Sequence, residues 1–326
     1  MRYLLRRLGF YLVALWAALT LNFLIPRLMP GDPVGLFIAH LQGHVDPRAI
    51  NALRLQFGIT NDNLWVQYGH YLRDLVHGNM GLSISYYPSP VSQVISQSLP
   101  WTLVLVGTSA VISFMLGTFL GILAAWKRGS WLDRTLAPSL TFLSAIPYFW
   151  LALIALYLFG FEYKVFPLSG AYDLSLTPGF SGDFLLNAVQ HALLPALTIV
   201  VSSVAGWMLG MRNAMLTSLA EDYVVMAEAK GLSDQRVMLV YAARNAILPN
   251  ITGFAISLGF VVSGALLTEI VFSYPGLGFV LLQAVQNSDY PLMQAVFLVI
   301  AIAVLGANFF ADILYVVLDP RTRQER

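Results

Sequence analysis

Apolar positions in this chain come in long runs. Six reach the roughly 20 residues that a helix needs to cross a hydrocarbon core: Leu8 to Ile25, Trp101 to Ala125, Leu136 to Phe161, Ala192 to Met211, Ile251 to Phe272 and Met293 to Val316. The pattern predicts an all-α integral membrane protein with six transmembrane helices. Between the first two runs the spacing changes. Asp46 followed by Pro47 reads as the cap and first turn of a helix through "PRAINALRLQF" that stops at Gly58. A second helix is expected from Asp62, with Leu64, Tyr68, Tyr71, Leu72 and Leu75 on one stripe. "PVSQVISQSL" sets Val91, Val94, Ile95 and Leu99 on one face, as an interfacial elbow leading into the second span. The chain thus divides into 1–26 (N-terminus and first span), an external segment 27–100 with short amphipathic helices, and a five-helix core 101–326 that holds a cytoplasmic loop at 212–249.

Within the spans, small residues recur every fourth position. Ser109, Ser113, Gly117, Gly121 and Ala125 form one row, Ser202, Gly206, Gly210 and Ala214 another, and Ala303, Ala307 and Ala311 a third. Lipid-embedded helices associate by close packing, which such rows permit. Pro147 stands inside the third run, lacks an amide donor and clashes with the carbonyl of Leu143, so a kink is expected there.

Composition agrees with the pattern: 58% of the 326 residues are hydrophobic and 11% charged, against about 25% charged in a soluble chain. A net charge of +1 gives no field that would gather nucleic acid. The absence of cysteine excludes disulfides and thiolate metal sites. Arg2, Arg6 and Arg7 precede the first run as they would a signal peptide, but "LIPRLMPGDP" offers no small-residue cleavage site, so a retained anchor is expected. Of the 18 Lys and Arg, 13 fall in the N-terminus, the Trp126 to Thr135 loop, the Arg212 to Arg244 passage and the tail. By the positive-inside rule these segments, and both termini, are cytoplasmic.

The chemistry that is missing narrows the function. None of the lysines, Lys127, Lys164 and Lys230, closes a GxxxxGK[ST] loop, so the chain holds no nucleotide motor of its own. His40, His44, His70, His77 and His191 show no metal-ligand spacing and read as solvated loop residues. No span has a central charge of the kind ion-coupled transporters use; Glu269 and Asp312 lie near span ends and are expected to reach the interface. A transporter with neither motor nor coupling ion needs a motor on another chain. A secondary transporter or channel is the reading of another class.

The passage where that motor would dock is "EDYVVMAEAKGLSDQRVMLVYAARNAILP". Its first helix ends at Gly231, a C′ glycine; Ser233 caps a second, from Asp234 to Ile247, that ends before Pro249. The result is an elbow with a Gly-Leu-Ser knuckle. It mixes Val224, Val225, Leu232, Val237, Met238 and Tyr241 with Glu228, Lys230, Asp234 and Arg236. That mixture suits a groove on a soluble partner, and equally a solvated connector between spans.

The same passage resembles the EAA loop of ABC importer permeases, in the variant of the peptide and nickel family. Two departures from the general form belong to that branch: Val225 where many importers have Glu, and a late Leu248–Pro249 pair. "MPGDP", "HGNMGLS", "LTEIVFSYPGLG" and "DYPLMQAVFLVIAIAVLGANFFADILYVVLDPR" look, in that order, like the B-type subunit of dipeptide and oligopeptide importers. The resemblance implies a type I ABC importer permease fold. Its implied partners are a second homologous permease, two ATP-binding subunits and an extracellular or periplasmic solute-binding protein. No cofactor would be bound by this chain, ATP and magnesium belonging to the partner subunits. Ala227, Glu228, Ala229, Lys230, Gly231, Leu232, Ser233, Asp234 and Arg236 would couple to the ATPase. The implied cargo is peptide, with oligosaccharide and nickel as alternatives. Asn22, Ser144, Tyr148, Ser257 and Ser263 are the expected polar residues of the path, because polar groups in hydrocarbon prefer water or protein to lipid. Tyr86 and Tyr87 suit either sugar stacking or interfacial anchoring.

Overall fold

The structure is a computed structural model that describes residues 2–28, 62–262 and 265–318. The helix expected over 47–57, the "MPGDP" stretch and Ser263 lie outside these residues. The described chain is helical, with one isolated bridge pairing Leu82 and Pro90. In chain order the helices are α1 (Arg2–Leu28), α2 (Leu64–Val76), α3 (Val91–Trp126), α4 (Ala137–Ala145) and α5 (Tyr148–Ala155, continued by a π-helical stretch, Leu156–Glu162). Then come α6 (Gly182–Leu219), α7 (Asp222–Ala229), α8 (Arg244–Val261), α9 (Leu266–Val271), α10 (Leu277–Gln286) and α11 (Tyr290–Leu318).

Among the described residues, α1, α3, α6 and α11 are long and apolar enough to cross a membrane, and α4 with α5 makes a fifth such unit if the pair counts as one span. Two expected spans differ from the pattern. At Pro147 the chain does not kink but breaks, and the two pieces meet at 94°. Ile146, the residue before the proline, leaves the helix for extended backbone (ψ 128°) because the proline ring disfavours the helical region there. Pro100 and Pro195 stand inside unbroken α3 and α6, which pack along each other. The run 251–272 is also divided: α8 ends at Val261 and a short α9 begins at Leu266.

The α3 row of small residues is the seam of the bundle. Ser109, Ser113, Gly117, Gly121 and Ala125 are all buried. A Cβ on Gly117 would stand 2.5 Å from the Trp207 Cβ, and one on Gly121 2.5 Å from the Met208 carbonyl oxygen. The α6 row does not face this seam. A Cβ on Gly206 would meet nothing within 4 Å, and Gly210 turns toward Asn250 of α8. In the third row Ala307 touches the place where a Gly259 Cβ would be, at 2.5 Å, so α8 and α11 also pack closely.

The stretch 91–100 is no separate interfacial elbow. It is the first part of α3, and Val91, Val94 and Ile95 are buried against Leu277 and Val280 of α10 and Leu292 and Val296 of α11. Alongside, α2 folds back on α1. Tyr68 and Tyr71 pack on Phe23, the Tyr68 hydroxyl lies 2.8 Å from Thr20 Oγ1, and Arg27 covers the Phe23 ring while donating to Gln67. Leu64, expected on that stripe, is exposed. Asn63 caps α2, its side chain accepting from the Trp65 N–H. His70 and His77 are exposed and His40 and His44 lie outside the described residues. His191 is not solvated: α6 begins ten residues before the apolar run, which puts His191 inside the helix, buried, with Nε2 3.7 Å from Asp173.

Candidate functional site: an elbow between two packed helices

The elbow is built by α7, the turn at Gly231, the short helix Asp234–Arg236 and a π-helical stretch, Val237–Ala243, that runs straight into α8. The second helix of the elbow therefore does not stop before Pro249, which stands inside α8. α7 closes with a Schellman turn. The Gly231 N–H donates to Glu228 O at 2.8 Å and the Leu232 N–H to Ala227 O at 3.4 Å, with Gly231 at φ +73°. A left-handed φ costs a residue with a Cβ roughly 1 kcal/mol or more, and glycine escapes that cost. Ser233 starts the next helix through its main chain: its carbonyl accepts from Arg236 N at 2.9 Å and Val237 N at 3.0 Å, and its side chain makes no capping bond.

The elbow is rooted in the bundle by an apolar cluster. Val224, Ala227, Val237, Ala242, Ala243 and Ala246 are buried with Met211 and Met215 of α6 and Ala125 of α3; Leu232, Met238 and Tyr241 pack partly against them. Ser218 Oγ of α6 adds a bond to Ala242 O at 3.0 Å. The nine elbow residues therefore separate into two groups. Ala227 is buried and Leu232 half-buried, facing the root, while Glu228, Ala229, Lys230, Gly231, Ser233, Asp234 and Arg236 form an exposed tip. Val225, Met226, Leu239 and Val240 add exposed apolar surface beside it.

The four described path residues stand on α1, α4, α5 and α8. Asn22 is buried, donating to Gln294 O at 2.5 Å between α1 and α11. Ser144 and Ser257 bond to their own helices, at Thr141 O and Phe254 O, which satisfies a hydroxyl without a partner helix. Tyr148 begins α5 just after the break and is exposed.

Four polar arrangements escaped sequence reasoning. Glu269 does not reach the interface; it is fully buried, accepting from Thr102 Oγ1 of α3 at 2.8 Å and from the Gly278 N–H of α10 at 2.7 Å. Thr102 in turn accepts from the Leu277 N–H. The glycines of "YPGLG" make room, since a Cβ on Gly276 would fall 2.5 Å from the carboxylate. Asp289, also fully buried, accepts from Ser83 Oγ at 2.5 Å, the Ser85 N–H at 2.8 Å and the Leu292 N–H at 3.1 Å, and so caps α11 while holding the 82–90 loop. Burial raises its carboxyl above the ordinary range, against the lowering by those donors. Arg212 of α6 makes a two-point pair with Asp133. Asp312 is held by Arg7 at 3.0 Å and the Tyr11 hydroxyl at 2.6 Å, fastening α11 to α1. Among the described residues no group of three or more His, Asp or Glu gathers as a metal site.

A helical bundle with four to five apolar spans among its described residues, extending an elbow from two of its packed helices, is the architecture of a multi-pass membrane protein. Residues 117–324 match the family model for the binding-protein-dependent transport system inner membrane component, and the chain belongs to that family. Relatives match it end to end. The di/tripeptide transport system permease protein DppB of Pseudomonas aeruginosa is 35% identical, with 99% of each chain aligned. The dipeptide transport system permease protein DppB of Escherichia coli K12 is 33% identical over the whole of both chains. The oligopeptide transport system permease protein AppB of Bacillus subtilis is 33% identical over 98% of each.

Proposed function

We propose that this chain imports short peptides as one half of the membrane path of an ATP-driven transporter. The observation that carries the reading is the end-to-end similarity to relatives named for di-, tri- and oligopeptide transport. The second half of the path is a homologous permease, two ATP-binding subunits supply the work, and a solute-binding protein outside the membrane delivers the peptide. The chain itself has no ATPase site and carries no cofactor; ATP and magnesium stay in the partners. It sits in the inner (plasma) membrane with both termini and the elbow cytoplasmic, following its Lys and Arg distribution. The tip from Glu228 to Arg236 enters the ATPase subunit, and α6, α7 and α8 move with it because one apolar cluster joins them.

Proteoliposomes that contain this chain with its partner permease and ATPases, supplied with binding protein, should accumulate labelled dipeptide or tripeptide only when ATP is present. The chain alone should neither hydrolyse ATP nor transport. Ion-gradient-driven uptake by the chain alone would overturn the reading. Competition by nickel or an oligosaccharide, with none by peptide, would reassign the cargo.

A further inference from the structure

A groove of about 600 Å³ lies between α4 and α6, lined by Pro138, Thr141 and Phe142 on one side and Leu209 on the other, with Asp133 and Arg212 in its wall. Arg212 Nε donates to Asp133 Oδ1 at 2.7 Å and its Nη2 to Oδ2 at 3.3 Å, while the Gly129 N–H holds Oδ2 at 3.0 Å. Both side chains are largely covered, 21% and 9% exposed, yet they border the cavity. Such a pair is poorly placed against hydrocarbon, so this wall suits water, solute or protein. The groove is open, with Pro138, Thr141 and Phe142 exposed along it, so a ligand would lie against its wall and stay partly uncovered. A planar cationic fork and a carboxylate side by side match the two charged ends of a short unblocked peptide, and the apolar remainder accepts side chains without selecting among them.

We propose that this groove holds a zwitterionic peptide at the cytoplasmic end of the path, its carboxylate on the Arg212 fork and its ammonium beside Asp133. The inference rests on the peptide reading and the orientation given above. Binding exchanges partners: the peptide carboxylate takes the guanidinium from Asp133, which keeps the Gly129 N–H and gains the ammonium. Because Asp133 competes for the same fork, the peptide is held weakly, as an exit requires.

The test uses inside-out proteoliposomes of the complete complex, with binding protein and labelled trialanine in the lumen and unlabelled peptide added at the cytoplasmic face. Trialanine should inhibit transport from that face, and trialanine amide, which lacks the carboxylate, about tenfold less strongly. Arg212→Gln should weaken inhibition by trialanine about tenfold and leave the amide unchanged, since both changes remove one interaction. The double variant Arg212→Gln with Asp133→Asn, which strands no charge, should also lose the ammonium contact and so weaken inhibition by both peptides below that seen with Arg212→Gln. Equal inhibition by the two peptides in the wild type, or effects that multiply, would overturn the assignment. So would a benzophenone side chain at Thr141 that captures the second permease instead of the labelled peptide. Normal transport without inhibition from the cytoplasmic face rejects the groove and spares the peptide reading; no binding-protein-dependent transport of trialanine rejects both.

Discussion

The two ends of the bundle are fixed by different physics. At the end that carries Glu269 and Asp289, buried carboxylates accept directional bonds from helix N-termini and hydroxyls, tying α3, α9, α10, α11 and the 82–90 loop to one another. At the elbow end, apolar side chains join α3, α6, α7 and α8, and most charged groups of the elbow stand out at the tip. Hydrogen bonds specify one arrangement sharply, because a buried donor left without its acceptor is costly. Apolar packing tolerates small shifts of a body that moves as a unit. The first end is built to keep its shape, and the second can shift as one body, as the proposed coupling to an ATPase requires.

Substitutions should separate the two. The largest loss is expected for Glu269→Leu, which strands the Thr102 hydroxyl and the Gly278 N–H in the interior. At about 1 to 3 kcal/mol for each unpaired donor, roughly 3 kcal/mol of stability should disappear. Thermal unfolding in detergent would show it, with Glu269→Gln in between; an unchanged midpoint for Leu would mean that the bonds do not hold this end. Asp289→Ala should cost somewhat less, about 2 kcal/mol, because part of the 82–90 loop reaches solvent and can rehydrate. Amide hydrogen exchange should then rise at Ser83, Ser85 and Leu292, and remain unchanged at Met211 and Ala242.

A smaller effect follows from the Asp289 charge. Burial raises this carboxyl on folding, so the folded protein binds more protons than the unfolded one, whose carboxyl titrates near about 3.9. Stability therefore grows as pH falls through the raised value, is complete below the unfolded one, and is lost again as pH rises. Between pH 7 and pH 5 the wild-type midpoint should gain on that of Asp289→Ala. A difference that shrinks on acidification would show that the donors outweigh burial.

How much of this was legible in the sequence depends on the range of the interaction. The long helices, the α3 seam and the turn at Gly231 follow from local spacing and from one residue's backbone freedom. Glu269 and Thr102 are 167 positions apart, and Ser83 and Asp289 206. No periodic pattern announces such pairs; the glycines at 276 and 278 were the one nearby sign that something occupied their Cβ space. Pro147 was visible but its consequence was not, since Pro100 and Pro195 leave α3 and α6 whole. Likewise the knuckle was legible as a shape, but not the inward turn of Leu232 onto the root.

That inward turn decides the smallest prediction for folding. A Cβ at Gly231 would meet nothing within 4 Å, so a large side chain there is opposed only by φ, at roughly 1 kcal/mol. Gly231→Trp should therefore leave the complex assembled, with a midpoint within a few degrees of wild type. If the tip enters an ATPase groove, the indole has no room in the joint, and substrate-stimulated ATP hydrolysis should vanish. Leu232→Asp tests the root instead: it places a charge against Val224, Ala227 and Val237, so it should lower both stability and stimulation. Under the proposed coupling, the two variants thus divide the elbow into a surface that would contact the partner and a core that would transmit its movement. Equal loss of stability in both would erase that division, and full stimulation in Gly231→Trp would leave the elbow a solvated connector.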